Sequence, residues 1–298
     1  MQKRALILFI IALFIVTGCT PNSQNHVNQD KKVLKIGYLP ITHAANLMMT
    51  KEIKQNNPNY DIELVRFNNW PDLMDALNSG RIDGASTLIE LAMKAKSKGS
   101  PIKAVALGHH EGNVVLGQNG HDLHDFNNDN NYMFAIPHRY STHYLLLEEM
   151  RKQLHIGHDH FHYHEMAPAE MPAALGEQLG KGHLLQHGSD IMPDAYCCVL
   201  VLQEDVIQHH HQAAQQFVSD YKKAGYQLDD KAKSVDVMSK YYKQDRKILE
   251  QSAKWTSYGD LTIQQEGYDN IAQLVKAHHL FDAPSYDQFV DNSLYKEG

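Results

Sequence analysis

The sequence predicts an α/β protein of two lobes, and three observations carry this prediction. Short apolar runs typical of strands alternate with helical segments of about ten residues, and the same order begins twice along the chain. The chain has 298 residues, which is enough for two modest cores. It has only three cysteines, so packing and not a disulfide framework must hold the fold. This alternation indicates a mainly parallel sheet covered on both faces.

The start of the chain has the features of a bacterial lipoprotein signal. Two basic residues precede an apolar run at residues 5–16, and small residues lead into Cys19. We expect residues 1–18 to be removed and Cys19 to carry lipid, which would anchor the protein at the extracytoplasmic face of the cell membrane. An uncleaved membrane anchor is the alternative. Residues 19–32 are Asn-, Gln- and Lys-rich without an apolar period, which predicts a flexible tether.

The charge of the chain excludes some classes of partner. Loss of residues 1–18 removes two of the 28 basic residues and none of the 35 acidic ones, so the formal charge moves from −7 to −9. A surface of this sign does not suit nucleic acid or an anionic membrane. No second apolar run is long enough to cross a bilayer.

The first α/β unit begins directly after the tether. Apolar runs rich in Ile, Leu and Val predict strands, and apolar residues three or four positions apart predict helices. The predicted strands are residues 33–39, 62–67, 82–86 and 102–107, and the predicted helices are residues 44–55, 73–78 and 88–98. The pair Ser79 and Gly80 ends the second of these helices.

The second unit repeats the order after a polar loop at residues 127–131. A strand is predicted at residues 133–136, a turn at 137–142, a helix at 143–154 and a further strand at 161–165. The last third, from residue 204 to residue 295, is predicted to be largely helical, with one extended piece near residues 261–263. A cleft between two such units is where small ligands usually bind.

Four segments resemble those of the substrate-binding lipoproteins of nitrate/sulfonate/taurine-type ABC importers. They are Leu34-Lys-Ile-Gly-Tyr-Leu-Pro-Ile-Thr-His43, Leu73-Met-Asp-Ala-Leu-Asn-Ser-Gly-Arg-Ile-Asp-Gly-Ala-Ser86, Ile136-Pro-His-Arg-Tyr-Ser-Thr-His143 and Glu170-Met-Pro-Ala-Ala-Leu175. The similarity extends from Val33 to the C-terminus. No single segment is decisive, but four in this order behind a lipoprotein signal form a specific pattern.

The resemblance implies a periplasmic-binding-protein fold of the second type, whose lobes close around one small ligand. Lobe 1 would comprise residues 33–108 and 195–298, and lobe 2 residues 109–194. The implied function is capture of a small anion or organic anion, such as a sulfonate or nitrate, and its delivery to an ABC permease and its ATPase. The resemblance implies a monomer that needs no cofactor and no catalysis.

We predict the ligand site in turns after the strands, where following helices present free backbone N–H groups. The candidate residues are Thr42, His43, Ser86, Thr87, His109, His110, Tyr140, Ser141, Thr142 and His143. Hydroxyl and imidazole groups in such turns can share one oxyanion with backbone amides. The alternatives are helix capping for the hydroxyl residues, packing within helices for His43 and His143, and a hinge role for residues 109–110.

The chain is rich in histidine, with 20 residues, and five of them crowd into one short segment. They are His155, His158, His160, His162 and His164. Three converging imidazoles can bind zinc or copper. If residues 158–165 are extended, however, neighbouring histidines on one face stand about 7 Å apart, too far for most pairs to share one ion. We therefore predict no metal site and favour a solvated or pH-sensitive strand. An extracytoplasmic metal-binding protein that uses this cluster is an alternative function.

The remaining cysteines are adjacent, Cys197 and Cys198, within an apolar run at residues 196–202 that is typical of a buried strand. This favours a role in the core over redox chemistry. A related fold occurs in a thiamine-pyrimidine synthase, which uses a longer cysteine cluster together with histidine. An enzyme of that type is the third function considered.

The second lobe has a shortened segment. Leu77 and Gly99 are 22 positions apart, whereas the corresponding Leu175 and Gly182 are 7 apart, so about fifteen residues are missing. The resemblance implies a strand and a cleft-lining turn at this place. Residues 184–192 could replace them, or the site could be impaired. We predict weaker ligand affinity than that measured for relatives that have the segment.

Overall fold

The fold is known from a computed structural model that describes residues 31–54, 56–118, 120–171 and 182–295. The predicted signal, the lipidation site Cys19 and nearly all of the tether lie outside these residues. So does most of the shortened segment that follows Leu175.

The strands and helices alternate through the first half of the described chain. The strands are β1 (Lys32–Tyr38), β2 (Tyr60–Arg66), β3 (Gly84–Leu88), β4 (Ile102–Leu107), β5 (His110–Glu111), β6 (Val114–Gln118), β7 (Tyr132–Ile136), β8 (Phe161–Glu165), β9 (Gly182–His187), β10 (Cys198–Gln203) and β11 (Thr256–Ser257). The helices are α1 (Ala45–Ile53), α2 (Trp70–Asn78), α3 (Ile89–Ser97), α4 (Thr142–Gln153), α5 (Gly188–Ile191), α6 (Glu204–His209), α7 (His211–Leu228), α8 (Lys231–Tyr241), α9 (Arg246–Trp255), α10 (Gln265–Ala277) and α11 (Tyr286–Phe289).

Five strands form the main sheet, in the order β2-β1-β3-β10-β4. β1 is parallel to β2 and β3, whereas β10 is antiparallel to both β3 and β4. The first four strands therefore share one direction, as predicted, and β10 runs against them. Cys198 at the start of β10 pairs with Leu88, and Val199 pairs with Leu107. The first residues of β10 thus lie at the edge where β3 and β4 end.

The two central strands are buried along their whole length. Every residue of β3 and β10 is buried, as is typical of strands covered on both faces. Gly84 in β3 allows a close approach, because a Cβ there would collide with the carbonyl oxygen of Val201 in β10. The core continues into α7, where Phe217 and Tyr221 are fully buried.

The middle of the chain forms smaller sheets. β6 pairs with β9 in antiparallel fashion, β7 pairs with β8 in parallel fashion, and the short β5 pairs with β11. Aromatic rings from Phe126, Tyr132, Phe134 and Phe161 pack together against this part of the core. Residues 184–192, the predicted replacement segment, enter β9 and α5. The assignment of two lobes stays a prediction.

Most predicted elements are confirmed, and the differences are local. The third strand begins at Gly84 and not at residue 82, so Ser86 and Thr87 lie inside β3 and not at the start of a helix. Residues 261–263 form no strand, and the extended piece is β11 instead. Residues His158–His160 form a 3₁₀ turn and not a strand. Among the described residues, no helix is both long and apolar enough to span a membrane.

Candidate metal centre

Four side chains with metal-binding atoms meet at one edge of the main sheet. They are His43, His109, Cys197 and Cys198, and their ligand atoms all lie within 4.8 Å of one another. The topology brings them together. His43 lies in the 3₁₀ turn that follows β1, and His109 comes shortly after the end of β4. Because β10 is antiparallel, its first residue, Cys198, lies at the same edge.

The two cysteine thiols lie on the same side of the chain, although adjacent residues of a regular strand point to opposite faces. Cys197 precedes β10, so strand geometry does not fix its side chain. Both sulfurs approach Nδ1 of His43, at 3.7 Å from Cys197 and 3.4 Å from Cys198. The sulfurs are 3.8 Å apart, and both cysteines are free.

A glycine permits this close approach. The Gly108 N–H donates to the Cys198 carbonyl oxygen at 2.7 Å. A Cβ at position 108 would lie 3.0 Å from Cys198 Cβ and 3.3 Å from the His43 carbonyl oxygen. Any larger residue would push these neighbours apart. Gly108 therefore allows the next residue, His109, to reach the cysteines.

The spacing of three of the atoms matches a tetrahedral zinc ion. Bonds of about 2.3 Å to sulfur and about 2.0 Å to nitrogen place two sulfurs about 3.8 Å apart, and a sulfur and a nitrogen about 3.5 Å apart. The separations among Nδ1 of His43 and the sulfurs of Cys197 and Cys198 are 3.7, 3.4 and 3.8 Å. These atoms already have the spacing of three vertices of the tetrahedron.

The fourth member of the group is an imidazole without a hydrogen bond. His109 is 1% exposed, and neither of its ring nitrogens meets the geometry of a hydrogen bond. Its ring centroid lies 3.8 Å from that of His43. A buried polar group without a partner is costly, and a bound ion would satisfy one of the two ring nitrogens. His109 thus completes a donor set of two thiols and two imidazoles, which suits Zn²⁺.

The protonation states favour binding of a cation. Burial lowers the pKa of His43 to about 4, and the neighbouring His109 adds to this effect, so the imidazole is neutral at pH 7. The hydrogen bond with the Cys198 thiol lowers the pKa of Cys197 well below its usual range, whereas burial raises the pKa of Cys198 well above it. The cysteine pair therefore loses its first proton more readily than an isolated thiol does, next to a neutral imidazole.

A third imidazole lies next to this group. The ring centroid of His143 is 6.3 Å from that of His43, and its Nδ1 is buried without a partner. Burial lowers the pKa of His143. Three of the predicted ligand residues, His43, His109 and His143, therefore lie close together. Their role as ligand contacts stays a prediction.

Thr142 joins two elements beside the centre. Its Oγ1 lies 2.7 Å from Oε1 of Glu90 and 2.8 Å from the carbonyl oxygen of Tyr196. A hydroxyl has one hydrogen and a carbonyl can only accept, so both contacts are satisfied when Thr142 donates to Tyr196 and protonated Glu90 donates to Thr142. Burial raises the pKa of Glu90 to about 8. The contact ties α3 and α4 to the residue that precedes Cys197.

Other predicted ligand residues of the first unit have internal partners. The Thr42 hydroxyl accepts a hydrogen bond from Ser252 at 3.0 Å. Thr87 is fully buried in β3, with its hydroxyl 3.4 Å from the sulfur of Met74. Ser86 is also buried in β3. Ser86 and Thr87 do not cap a helix, because β3 extends through them and α3 begins at Ile89.

The predicted residues before α4 serve the helix itself. Ser141 is the N-cap: its hydroxyl accepts from the Tyr144 N–H at 3.2 Å and donates to the His138 carbonyl oxygen at 2.6 Å. The Tyr140 ring contacts the Lys94 ammonium, which lies 3.3 Å from the ring centroid.

The last predicted residue, His110, contacts the carbonyl oxygen of Asp260.

The histidine-rich segment does not form a metal site among the described residues, where the buried group described above is the one set of three or more close ligand atoms. His162 and His164 are exposed on β8, while Phe161 on the opposite face is buried. His160 contacts the carbonyl oxygen of Asn130 at 2.9 Å. A solvated strand is consistent with this arrangement.

The sequence interpretation missed the cysteines as functional residues. Their burial agrees with the prediction of a core position, since each is 1% exposed. The core they occupy, however, contains two imidazoles. One signal was available: a Cys-Cys pair without a disulfide framework, following histidines placed at the ends of two predicted strands.

Comparison with known proteins places the chain among binding proteins. A solved structure of the ligand-binding component of an ABC-type import system from Staphylococcus aureus, with zinc bound, is 63% identical. The match covers 90% of this chain and 99% of that chain, with a TM-score of 0.86. No curated protein matches the chain.

Two more distant structures show the fold. The periplasmic nitrate-binding protein NrtA from Synechocystis PCC 6803 is 15% identical, with 89% of this chain and 87% of that chain covered and a TM-score of 0.77. The alkanesulfonate-binding protein SsuA from Xanthomonas axonopodis pv. citri, bound to MOPS, is 17% identical, with 89% and 98% covered and a TM-score of 0.69. The predicted periplasmic-binding-protein fold is therefore confirmed. The model of the NMT1-like family matches residues 28–179, and the chain belongs to this family.

Proposed function

We propose that this chain, a solute-binding component of an ABC import system, captures a thiophilic divalent metal ion, with Zn²⁺ as the first candidate. One observation carries the proposal: the ligand atoms of His43, His109, Cys197 and Cys198 lie within 4.8 Å of one another. Thiolate and imidazole ligands suit zinc, whereas Mg²⁺ and Ca²⁺ take oxygen ligands. The zinc bound to the relative that is 63% identical supports the same assignment.

A small anion or organic anion, such as nitrate or a sulfonate, is the second candidate. The convergence of His43, His109 and His143 favours it, because imidazoles can donate to an oxyanion. The lowered pKa values of His43 and His143 weaken it, because both imidazoles are neutral at pH 7 and attract an anion less than imidazolium would. Zinc is therefore the better candidate.

The proposed anchoring and delivery rest on the sequence. A lipid on Cys19 would hold a monomeric receptor at the extracytoplasmic face, next to the permease that accepts the ion. Release of a Cys19→Ala variant from the membrane fraction would test this anchor. Capture and delivery require no catalytic step.

Calorimetric titration of the metal-free protein with Zn²⁺ tests the proposal. We expect one tightly bound ion per chain and a higher melting temperature, because the ion binds the native state. We also expect release of protons on binding, because cysteine binds zinc as thiolate and burial raises the pKa of Cys198 well above its usual range. Titrations in buffers of different ionisation enthalpy measure the number of protons released per ion.

Nitrate, a sulfonate, bicarbonate and Mg²⁺ serve as controls under the same conditions. Stabilisation by one of the anions, with no response to Zn²⁺, would contradict the proposal and support the second candidate.

A further inference from the structure

The candidate metal centre is closed to solvent, so an ion needs a route to it. His109, Cys197 and Cys198 are each 1% exposed. A cavity of about 470 Å³ is lined by residues that neighbour two of the candidate ligands along the chain. Its wall includes His110, which directly follows His109, and Tyr196, which directly precedes Cys197. Two residues of the cavity wall are thus sequence neighbours of two candidate metal ligands.

Carboxylates from three separate segments line this cavity. They are Glu111, Asp194 and Glu266. The other titratable groups in the lining are His110 and Tyr196, and the lining contains neither Lys nor Arg. None of the three carboxylates forms an ion pair with another residue in the part of the chain that the structure describes. The cavity wall therefore carries three carboxylates and neither Lys nor Arg.

A buried amide in the same wall also lacks a partner. Asn113 lines the cavity, is 8% exposed, and its Oδ1 has no hydrogen bond. An amide oxygen can accept a hydrogen bond or bind a cation, but it cannot donate to an anion. Like the carboxylates, it is an oxygen ligand of the kind that hydrated divalent cations use.

We propose that this cavity is an acidic vestibule, a second and weaker cation site that attracts the hydrated ion and speeds its transfer to the cysteines and histidines. The proposal rests on the metal-binding function proposed above. A cleft lined by charge of one sign concentrates the oppositely charged ligand and raises association rates by about 10- to 10³-fold. The vestibule therefore acts on the rate of capture, whereas the inner ligands set how long the ion stays.

The test is a triple substitution that removes charge and keeps shape: Glu111→Gln, Asp194→Asn and Glu266→Gln. Asp194 has a positive φ of 56°, which Asn tolerates well. We expect the association rate of Zn²⁺, measured by stopped flow at low ionic strength, to fall about tenfold or more. The dissociation rate and the melting temperature of the metal-free protein should stay within twofold and about 2 °C of the wild type.

Salt provides a second measurement. Added salt should slow association of Zn²⁺ with the wild type and have little effect on the triple variant, because salt screens the charges that the variant lacks. The matched control changes the net charge equally at exposed positions outside the cavity, as Glu63→Gln, Asp75→Asn and Asp129→Asn. The control should associate at nearly the wild-type rate.

The vestibule should also be visible directly. Mn²⁺ prefers oxygen ligands, so we expect it to bind weakly to a Cys197→Ser/Cys198→Ser protein and to lose this binding when the three vestibule carboxylates are also replaced. The spin-resonance signal of free Mn²⁺ measures this weak binding.

Two results would overturn the vestibule while leaving the metal centre intact: association of the triple variant at the wild-type rate with unchanged salt dependence, or equal slowing in the control. A wild-type protein that takes up no Zn²⁺ at all would overturn both proposals.

Discussion

A Cys197→Ser/Cys198→Ser protein is expected to bind Zn²⁺ at least about 10³-fold more weakly than the wild type. Changes in groups that only orient metal ligands cost about 10- to 100-fold in affinity, so loss of two thiolates costs more. Serine is close to cysteine in size, and the metal-free variant should keep its fold. Competition with a chromophoric chelator at pH 7 measures both affinities.

The matched control is His162→Ala, which removes an exposed imidazole on β8 from the histidine-rich segment. Its affinity for Zn²⁺ should equal that of the wild type. Wild-type affinity in the double serine variant would contradict the assignment of the centre. Loss of affinity in the His162 variant would indicate that the metal site lies in the histidine-rich segment instead.

The second large effect concerns pH and Glu90. Its pKa rises from 4.5 to about 8 on folding because the carboxyl group is buried. A raised pKa means that the contribution of Glu90 to stability is complete below pH 4.5 and is lost as the pH rises toward about 8. Within this window the free energy of unfolding should fall by about 1.4 kcal/mol per pH unit relative to a protein without the group.

A Glu90→Gln variant isolates this contribution, because its amide can still donate to Thr142 but does not titrate. Urea unfolding of both metal-free proteins between pH 4 and pH 9, taken as a difference, removes the effects of His43 and the cysteines that both proteins share. The difference should slope between the two pKa values and be flat outside them. A flat difference throughout would show that Glu90 is not buried as a neutral acid.

The sequence predicts the main sheet well where burial alone decides the pattern. The bounds of β4 agree with the predicted strand, because it is a short apolar run bounded by turn residues. The bounds of β3 differ from the prediction. Residues 84–87 are small or hydroxyl-bearing and show no apolar alternation, so the pattern does not show where pairing begins.

The sequence likewise predicts some residues of the candidate site and misses others. The rule that ligands lie beyond the carboxyl ends of parallel strands was sufficient to select His43. His109 was selected because it lies where the chain was predicted to cross between the lobes. Cys197 and Cys198 were assigned to the core because an apolar run predicts burial but not the neighbours of each side chain. A strand that begins one residue earlier would turn the Cys197 thiol to the other face. That detail depends on the antiparallel insertion of β10, which the local sequence does not encode.

Gly108 has a consequence for the comparison of related chains. The centre requires four side chains and, at a fifth position, a hydrogen atom, because a Cβ there would lie 3.0 Å from Cys198 Cβ. Cysteine and histidine persist in families for many reasons, including burial and surface charge. Glycine at this position lets two chain segments touch. Among homologues, retention of this glycine should therefore separate members that inherited the metal centre from members that kept only its residues.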